Sequence, residues 1–207
     1  MDREIYDNAQ WLLQAITRGF AALDDEGVGE VLLRLTAQSL TADTFTEPEP
    51  ARKPACRHLP QTVAETAMLN ADLAAAIASI EDHLHWRQTE GYSDAVLGDG
   101  FMENYAHCEI VGPHGFFPGN DFLLGVFILG PGRLYKDHYH PAPELYWPLT
   151  GPSDWKRGAG GFSTRRAGET IWHRPDIVHA TATLATPLLA VWCWTRDTTT
   201  PARLLGP

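Results

Sequence analysis

The stretch Gly132–Gly151, GRLYKDHYHPAPELYWPLTG, decides the fold. His138 and His140 stand two apart in it, so on a strand both imidazoles project from one face. Pro141 and Pro143 imply a bend, after which Glu144 turns back toward the histidines. Tyr146 lies two positions beyond Glu144 and shares its face. Two imidazoles and a carboxylate converging on one point suit a first-row transition metal. A second stretch, Gly168–Ala180, GETIWHRPDIVHA, holds His173 and His179. A strand that begins at His179 and faces the first stretch completes a set of three histidines and one carboxylate. A lone H-x-H on a strand is commonly an exposed or hydrogen-bonded pair. Glu144, the bracketing glycines and His179 shift the reading here to metal ligation.

The first stretch resembles the first motif of the cupin superfamily, G-x5-H-x-H-x3-E-x6-G, and every spacing matches from Gly132 to Gly151. The second is similar to the second cupin motif, G-x5-P-x-G-x2-H-x3-N, with Gly168 and His179 in register. Arg174, Asp176 and Thr183 stand where that motif has Pro, Gly and Asn. The resemblance implies a double-stranded β-helix, or jelly-roll barrel, holding one divalent transition metal on His138, His140, Glu144 and His179. Zn, Fe(II), Mn, Co and Ni all accept such a set.

The sequence around these motifs fits a mainly β fold. From Gly98 onward, short apolar runs alternate with Gly and Pro: AHCEIV, DFLLGVFIL, ELYWPLTG, TIWHRP, HATATL and PLLAVWCW. That pattern predicts an antiparallel sandwich or barrel over residues 99–207. Residues 1–98 read as a helical region. Ile5, Leu12, Leu13, Ile16 and Phe20 recur at helical spacing between Asp2 and Phe20. Asp24 or Asp25 is placed to cap a second helix carrying Val28, Val31, Leu32 and Leu35. The proline-rich run 46–55 predicts a loop. Leu69, Leu73, Ile77, Ile80 and Leu84 predict one helix from Thr62 to Trp86.

Composition narrows the partners. The 207 residues are 44% hydrophobic, enough for one substantial core or a domain with a helical extension. The net charge is -10 and no Lys/Arg cluster stands out, so the footprint of a nucleic-acid-binding protein is missing. The charged start MDREIYDNAQ does not read as a signal peptide, and no apolar stretch is long enough to span a bilayer. Cys56, Cys108 and Cys193 are odd in number and widely spaced, which favours buried or idle thiols in a reducing cytoplasm over disulfides. The expectation is a cytoplasmic protein acting on a small molecule, without membrane or nucleic-acid partners.

A closer resemblance concerns the helical first part, the chain length and the run YKDHYHPAPELYW, residues 135–147. These features are similar to the bacterial dimethylsulfoniopropionate (DMSP) lyases of the cupin superfamily. Those enzymes place a helical segment before a cupin barrel and cleave DMSP to acrylate and dimethyl sulfide. The resemblance implies that Tyr146 is the catalytic base, Tyr135 a second active-site tyrosine and Trp194 an active-site tryptophan. Trp194, Trp192 and Tyr139 are candidates for an aromatic wall around the sulfonium. Each has a plainer reading as a core or hydrogen-bonded side chain. Tyr139 alternates away from the histidines on a regular strand, and Tyr135 shares that parity unless a bulge intervenes. His107, His114 and His173 read as surface or hydrogen-bonded histidines, and His58, His83 and His85 fall in the helical region. Another single-metal cupin enzyme, such as an oxygenase, an isomerase or a relative of the lyases with a different substrate, and a non-enzymatic small-molecule-binding cupin are the alternative readings. The helical region is expected either to cover one mouth of the barrel or to form a homodimer contact.

Overall fold

Helices occupy the chain as far as Leu97 and strands follow from Tyr105 in this computed structural model, which describes residues 1–206. The helices are α1 (Arg3–Ala21), α2 (Val28–Thr36), α3 (Leu59–Leu69), α4 (Ala71–Ile80) and the short α5 (Asp94–Leu97). The strands are β1 (Tyr105–Val111), β2 (Leu123–Leu129), β3 (Leu134–Tyr139), β4 (Glu144–Pro148), β5 (Ser153–Arg157), β6 (Ser163–Arg165), β7 (Ile171–His173), β8 (His179–Thr183), β9 (Leu188–Trp194) and β10 (Arg203–Leu204). They form two five-stranded antiparallel sheets, ordered β1-β2-β9-β4-β7 and β10-β3-β8-β5-β6. This is the mainly β, double-stranded β-helix architecture expected of a cupin.

The first sheet is buried on both faces. Along β9, Leu189, Val191 and Cys193 join the core beneath the helices, whereas Leu188, Ala190 and Trp192 join the core inside the barrel. β4 divides likewise, with Leu145 and Trp147 outward and Tyr146 inward. Double burial explains why PLLAVWCW and ELYWP are almost continuously apolar instead of alternating. Helices α1–α4 therefore cover the outer face of this sheet, not a barrel mouth, whereas Leu97 of α5 joins the core inside the barrel. Phe20 of α1 packs on Trp147 with ring centroids 5.3 Å apart.

Three local readings need correction. The stretch from Thr62 to Trp86 is not one helix: α3 ends at Asn70, whose extended backbone and side-chain bond to Leu73 N start α4, and the chain past His83 runs extended. Asn competes with the helix by bonding backbone, which periodicity alone does not register. No aspartate caps α2. Gly27 occupies that position with φ 88°, and Asp25 instead accepts a bond from Thr170. The strands β5, β6 and β10 are too short or too polar to stand out as apolar runs. Among the described residues no helix is long and apolar enough to cross a membrane.

Candidate metal centre and cavity

The first motif supplies β3, a bend and β4. β3 pairs with β8 so that His138 lies directly opposite His179, their ring centroids 4.0 Å apart. The register shifts between Tyr135 and His138, leaving one extra residue on β3. That bulge resolves the parity of Tyr135. Its ring stacks on His138 at 3.9 Å and faces the barrel interior. Beyond the bend Glu144 opens β4, opposite His173 on β7 and Trp194 on β9.

Three of the four expected ligands converge. Ligand atoms of His140, Glu144 and His179 all lie within 4.8 Å of one another, and all three residues are buried. His138 is buried beside them but falls outside that group. Each expected ligand histidine has Nδ1 within hydrogen-bond distance of a backbone carbonyl: His138 with Lys136 at 2.8 Å, His140 with Ala142 at 2.9 Å and His179 with Ile177 at 2.8 Å. A carbonyl only accepts, so Nδ1 carries the proton and Nε2 keeps its lone pair. Those Nε2 atoms then meet Glu144 Oε2, at 3.2 Å from His140 and 3.4 Å from His179. Lone pairs of two imidazoles and a carboxylate aimed at one another repel unless a cation, a metal ion or in its place a second ring proton, lies among them. The donor set therefore fits a divalent transition metal.

Burial alone would push the Glu144 carboxyl up, but the surrounding histidines overcome this and hold it well below the usual range. Burial presses His138 well below an ordinary histidine and His173 down to about 3. Burial also pushes the phenols of Tyr146 and Tyr135 well above their ordinary value, and the Glu144 carboxylate adds to the rise at Tyr146.

The centre opens into a cavity of about 1070 Å³ lined by His138, His140, Glu144, Tyr135, Tyr146, Trp192 and Trp194. Tyr139 does not line it. That side chain borders a smaller cleft with Pro141 and Asp176, as its alternation on β3 implies. Trp192 faces the cavity while its indole N–H lies 3.3 Å from the Cys108 carbonyl oxygen. Trp194 does more than form a wall: its indole N–H donates to Glu144 Oε1 at 2.8 Å, and its ring lies over His140 at 4.3 Å.

Several cavity residues were not singled out from the sequence. Tyr105 and Glu109 flank His107 on β1 and line the cavity with it, together with Arg87 and Phe127. Their period-two placement in YAHCEIV was a usable signal. Tyr92 hydrogen-bonds Tyr135, hydroxyl to hydroxyl, at 2.8 Å. His107 fits the hydrogen-bonded reading, with Nδ1 3.2 Å from the Tyr105 hydroxyl. His173 does not fit it: the ring is fully buried and neither nitrogen has a hydrogen-bond partner. In the second motif Asp176 takes φ 58°, so the left-handed turn that glycine usually provides is kept, and its N–H bonds the His140 carbonyl at 2.9 Å. Thr183 ties the strand end instead of asparagine, accepting from Arg133 N at 2.8 Å.

The sequence profile described as dimethylsulfoniopropionate lyase matches residues 29–190, a span holding every expected ligand and Tyr146. The chain belongs to the DMSP lyase family. The DMSP lyase DddQ of Ruegeria pomeroyi is 30% identical over 148 residues, covering 70% of this chain and 69% of that relative. Two solved structures share the fold. One, from crystal structures of the DMSP lyases RdDddP and RnDddQII, gives a TM-score of 0.76 at 23% identity over 97% of this chain and 98% of that one. The crystal structure of DddQ from Ruegeria pomeroyi gives 0.72 at 24% identity over 96% of each chain. The DMSP lyase match extends through both sheets and α2–α4, so the helical cover belongs to the shared architecture.

Proposed function

We propose that this member of the DMSP lyase family cleaves dimethylsulfoniopropionate to dimethyl sulfide and acrylate by β-elimination, with Tyr146 as general base beside a single divalent metal. The observation that carries the reading is the convergence of His140, Glu144 and His179, with His140 and Glu144 lining a cavity that Tyr146 also lines.

The chain's part in the reaction follows from its chemistry. Aromatic faces attract a sulfonium as they do a quaternary ammonium, and Trp192, Tyr105 and Phe127 are among the aromatic residues that line the cavity. Glu109, Glu90 and Asp121 also line it, against Arg87 as the one Lys or Arg, which favours a cationic group. The Tyr146 oxygen takes the proton from the carbon next to the substrate carboxylate. The electron pair left behind forms the carbon–carbon double bond, and the bond from the β-carbon to sulfur breaks with its pair going to sulfur. Acrylate and neutral dimethyl sulfide result, and the proton rests on Tyr146. A buried phenol does not ionise unaided, so the step needs positive charge nearby. A metal held by His140, Glu144, His179 and the adjacent His138 would supply that charge and act as a Lewis acid toward the substrate carboxylate.

The test is anaerobic. Purified protein is loaded in turn with Zn, Fe(II), Mn, Co and Ni, then given DMSP, and dimethyl sulfide and acrylate are quantified. Equal amounts of both products, formed without oxygen, are expected with at least one metal and none with chelator. No product with any of the five overturns the proposal, and a strict need for oxygen points to oxygenase chemistry.

A further inference from the structure

His173 is a buried polar side chain of the barrel that the metal-centre reading leaves unexplained. It lies on β7 with its ring 4.0 Å from that of His179 and 5.9 and 6.2 Å from those of Tyr146 and Trp155, and is 0% exposed. Neither of its ring nitrogens has a hydrogen-bond partner among the described residues. A buried polar group left in that state is destabilising, so a phenylalanine or leucine would be the more favourable occupant. The histidine therefore calls for a reason beyond packing.

Glu144 Oε2 lies 3.5 Å from His173 Nδ1, an approach just short of a formed hydrogen bond. That approach is set by backbone, because Glu144 and His173 are direct cross-strand partners in the β4–β7 ladder. His173 also differs from the three expected ligand histidines. Their Nδ1 atoms are each engaged by a carbonyl, which aims Nε2 inward, whereas Nδ1 of His173 has no carbonyl and is free to donate to the carboxylate. Nor is His173 in the group whose ligand atoms converge within 4.8 Å. It reaches Oε2, the same carboxylate oxygen that faces the imidazoles of His140 and His179, and its ring lies 4.0 Å from that of His179.

We propose that His173 is a positioning residue for Glu144: its Nδ1–H holds carboxylate oxygen Oε2 while the indole of Trp194 holds Oε1, and the two donors together fix the edge that Glu144 presents to the metal. The inference rests on the metal-centre reading above. Donors to the oxygens of a ligating carboxylate hold its orientation without occupying a coordination position, and losing one weakens metal binding by roughly 10–100-fold. A neutral imidazole suffices, since it donates one hydrogen bond and adds no charge.

The test measures metal binding directly. Metal-depleted wild type, His173→Phe, His173→Asn and His173→Gln are titrated with Zn(II) alone in competition with a chromophoric chelator, and the metal-free proteins are compared by circular dichroism. Phenylalanine keeps the ring and loses the donor, and its affinity should fall roughly 10–100-fold. Asparagine places an N–H close to the position of Nδ1 and should recover most of the loss. Glutamine keeps polarity and volume but moves the donor, so it should bind as weakly as phenylalanine and serves in its place if the phenylalanine protein does not fold. The absorption spectrum of the Co(II) form should change in the weak binders and stay close to wild type with asparagine. Wild-type affinity in His173→Phe or His173→Gln overturns the proposal, as does an asparagine variant no better than glutamine. A wild-type protein that binds no Zn(II) instead removes the metal-centre reading itself, so the two failures are distinct.

Discussion

Tyr146 and Glu144 are two positions apart on one strand, yet burial acts on them in opposite senses. The carboxylate is held ionised by its histidines, and the phenol is held protonated by its apolar surroundings and by that same carboxylate. A substitution that removes only the phenol oxygen should separate binding from chemistry. Tyr146→Phe is expected to retain the metal content of wild type and to lose at least about two orders of magnitude in kcat, in the range typical of a lost acid–base group. Metal analysis and product assays on the same preparation check this, and a variant keeping most of its turnover would remove Tyr146 from the role of base. At this scale much of the site was legible. A period of two put Tyr146 beside Glu144, and the motif spacing located the histidines. His173 was not legible, because its proximity to Glu144 comes from pairing between strands that sequence distance does not reveal. Trp194 was found as an aromatic but not as a donor, since an indole's hydrogen bond depends on what lies across the ladder.

Elements meet where side chains leave room. Gly19 sits in the last turns of α1, and a Cβ there would overlap the indole ring of Trp147 from β4. Two effects compete on changing it to alanine. Helix propensity favours alanine by about 1 kcal/mol, whereas forcing volume into a packed contact costs about 1–3 kcal/mol. Trp147 is 3% exposed and packed against Phe20, so it has little room to yield. Gly19→Ala should therefore lower the Tm, by roughly 2–4 °C for each net kcal/mol in a chain of this size. A rise in Tm would mean that the helix shifts freely on the sheet. Helix existence was readable from apolar spacing, but the break at Asn70 and the glycine start of α2 were not. Both turn on single-residue backbone chemistry that an apolar repeat does not encode. The bulge at Tyr135 was readable only as a condition: an inward Tyr135 required one, and the ladder contains it.

At the scale of the whole molecule, helices and barrel share the outer face of one sheet, and the barrel's inner face carries a concentration of uncharged buried histidines. Burial holds His173 and His107 down to about 3 and His138 well below the ordinary value. His107 opens on the cavity, so water offsets part of its effect, and His173 is fully enclosed. In the unfolded chain each returns to a pKa of about 6.5. Below that pH the unfolded state takes up protons that the folded state refuses, so stability is complete above about pH 6.5 and falls as pH drops toward the folded values. Each such histidine withdraws up to about 1.4 kcal/mol per pH unit across that window. Glu144 acts in the same direction at lower pH: its contribution is present above the unfolded value of about 4.3 and is lost as pH falls through its depressed folded value. Metal release in acid would add to this trend, because protonated imidazoles do not ligate, so the measurement belongs on chelator-treated protein. Denaturant unfolding at pH 7.5, 6 and 5 should show a steady loss of stability between 6 and 5 that corresponds to more than one proton. A flat profile would mean that the barrel hydrates its histidines in solution, and with that the enclosed, lone-pair-only site that favours a metal would lose its physical basis.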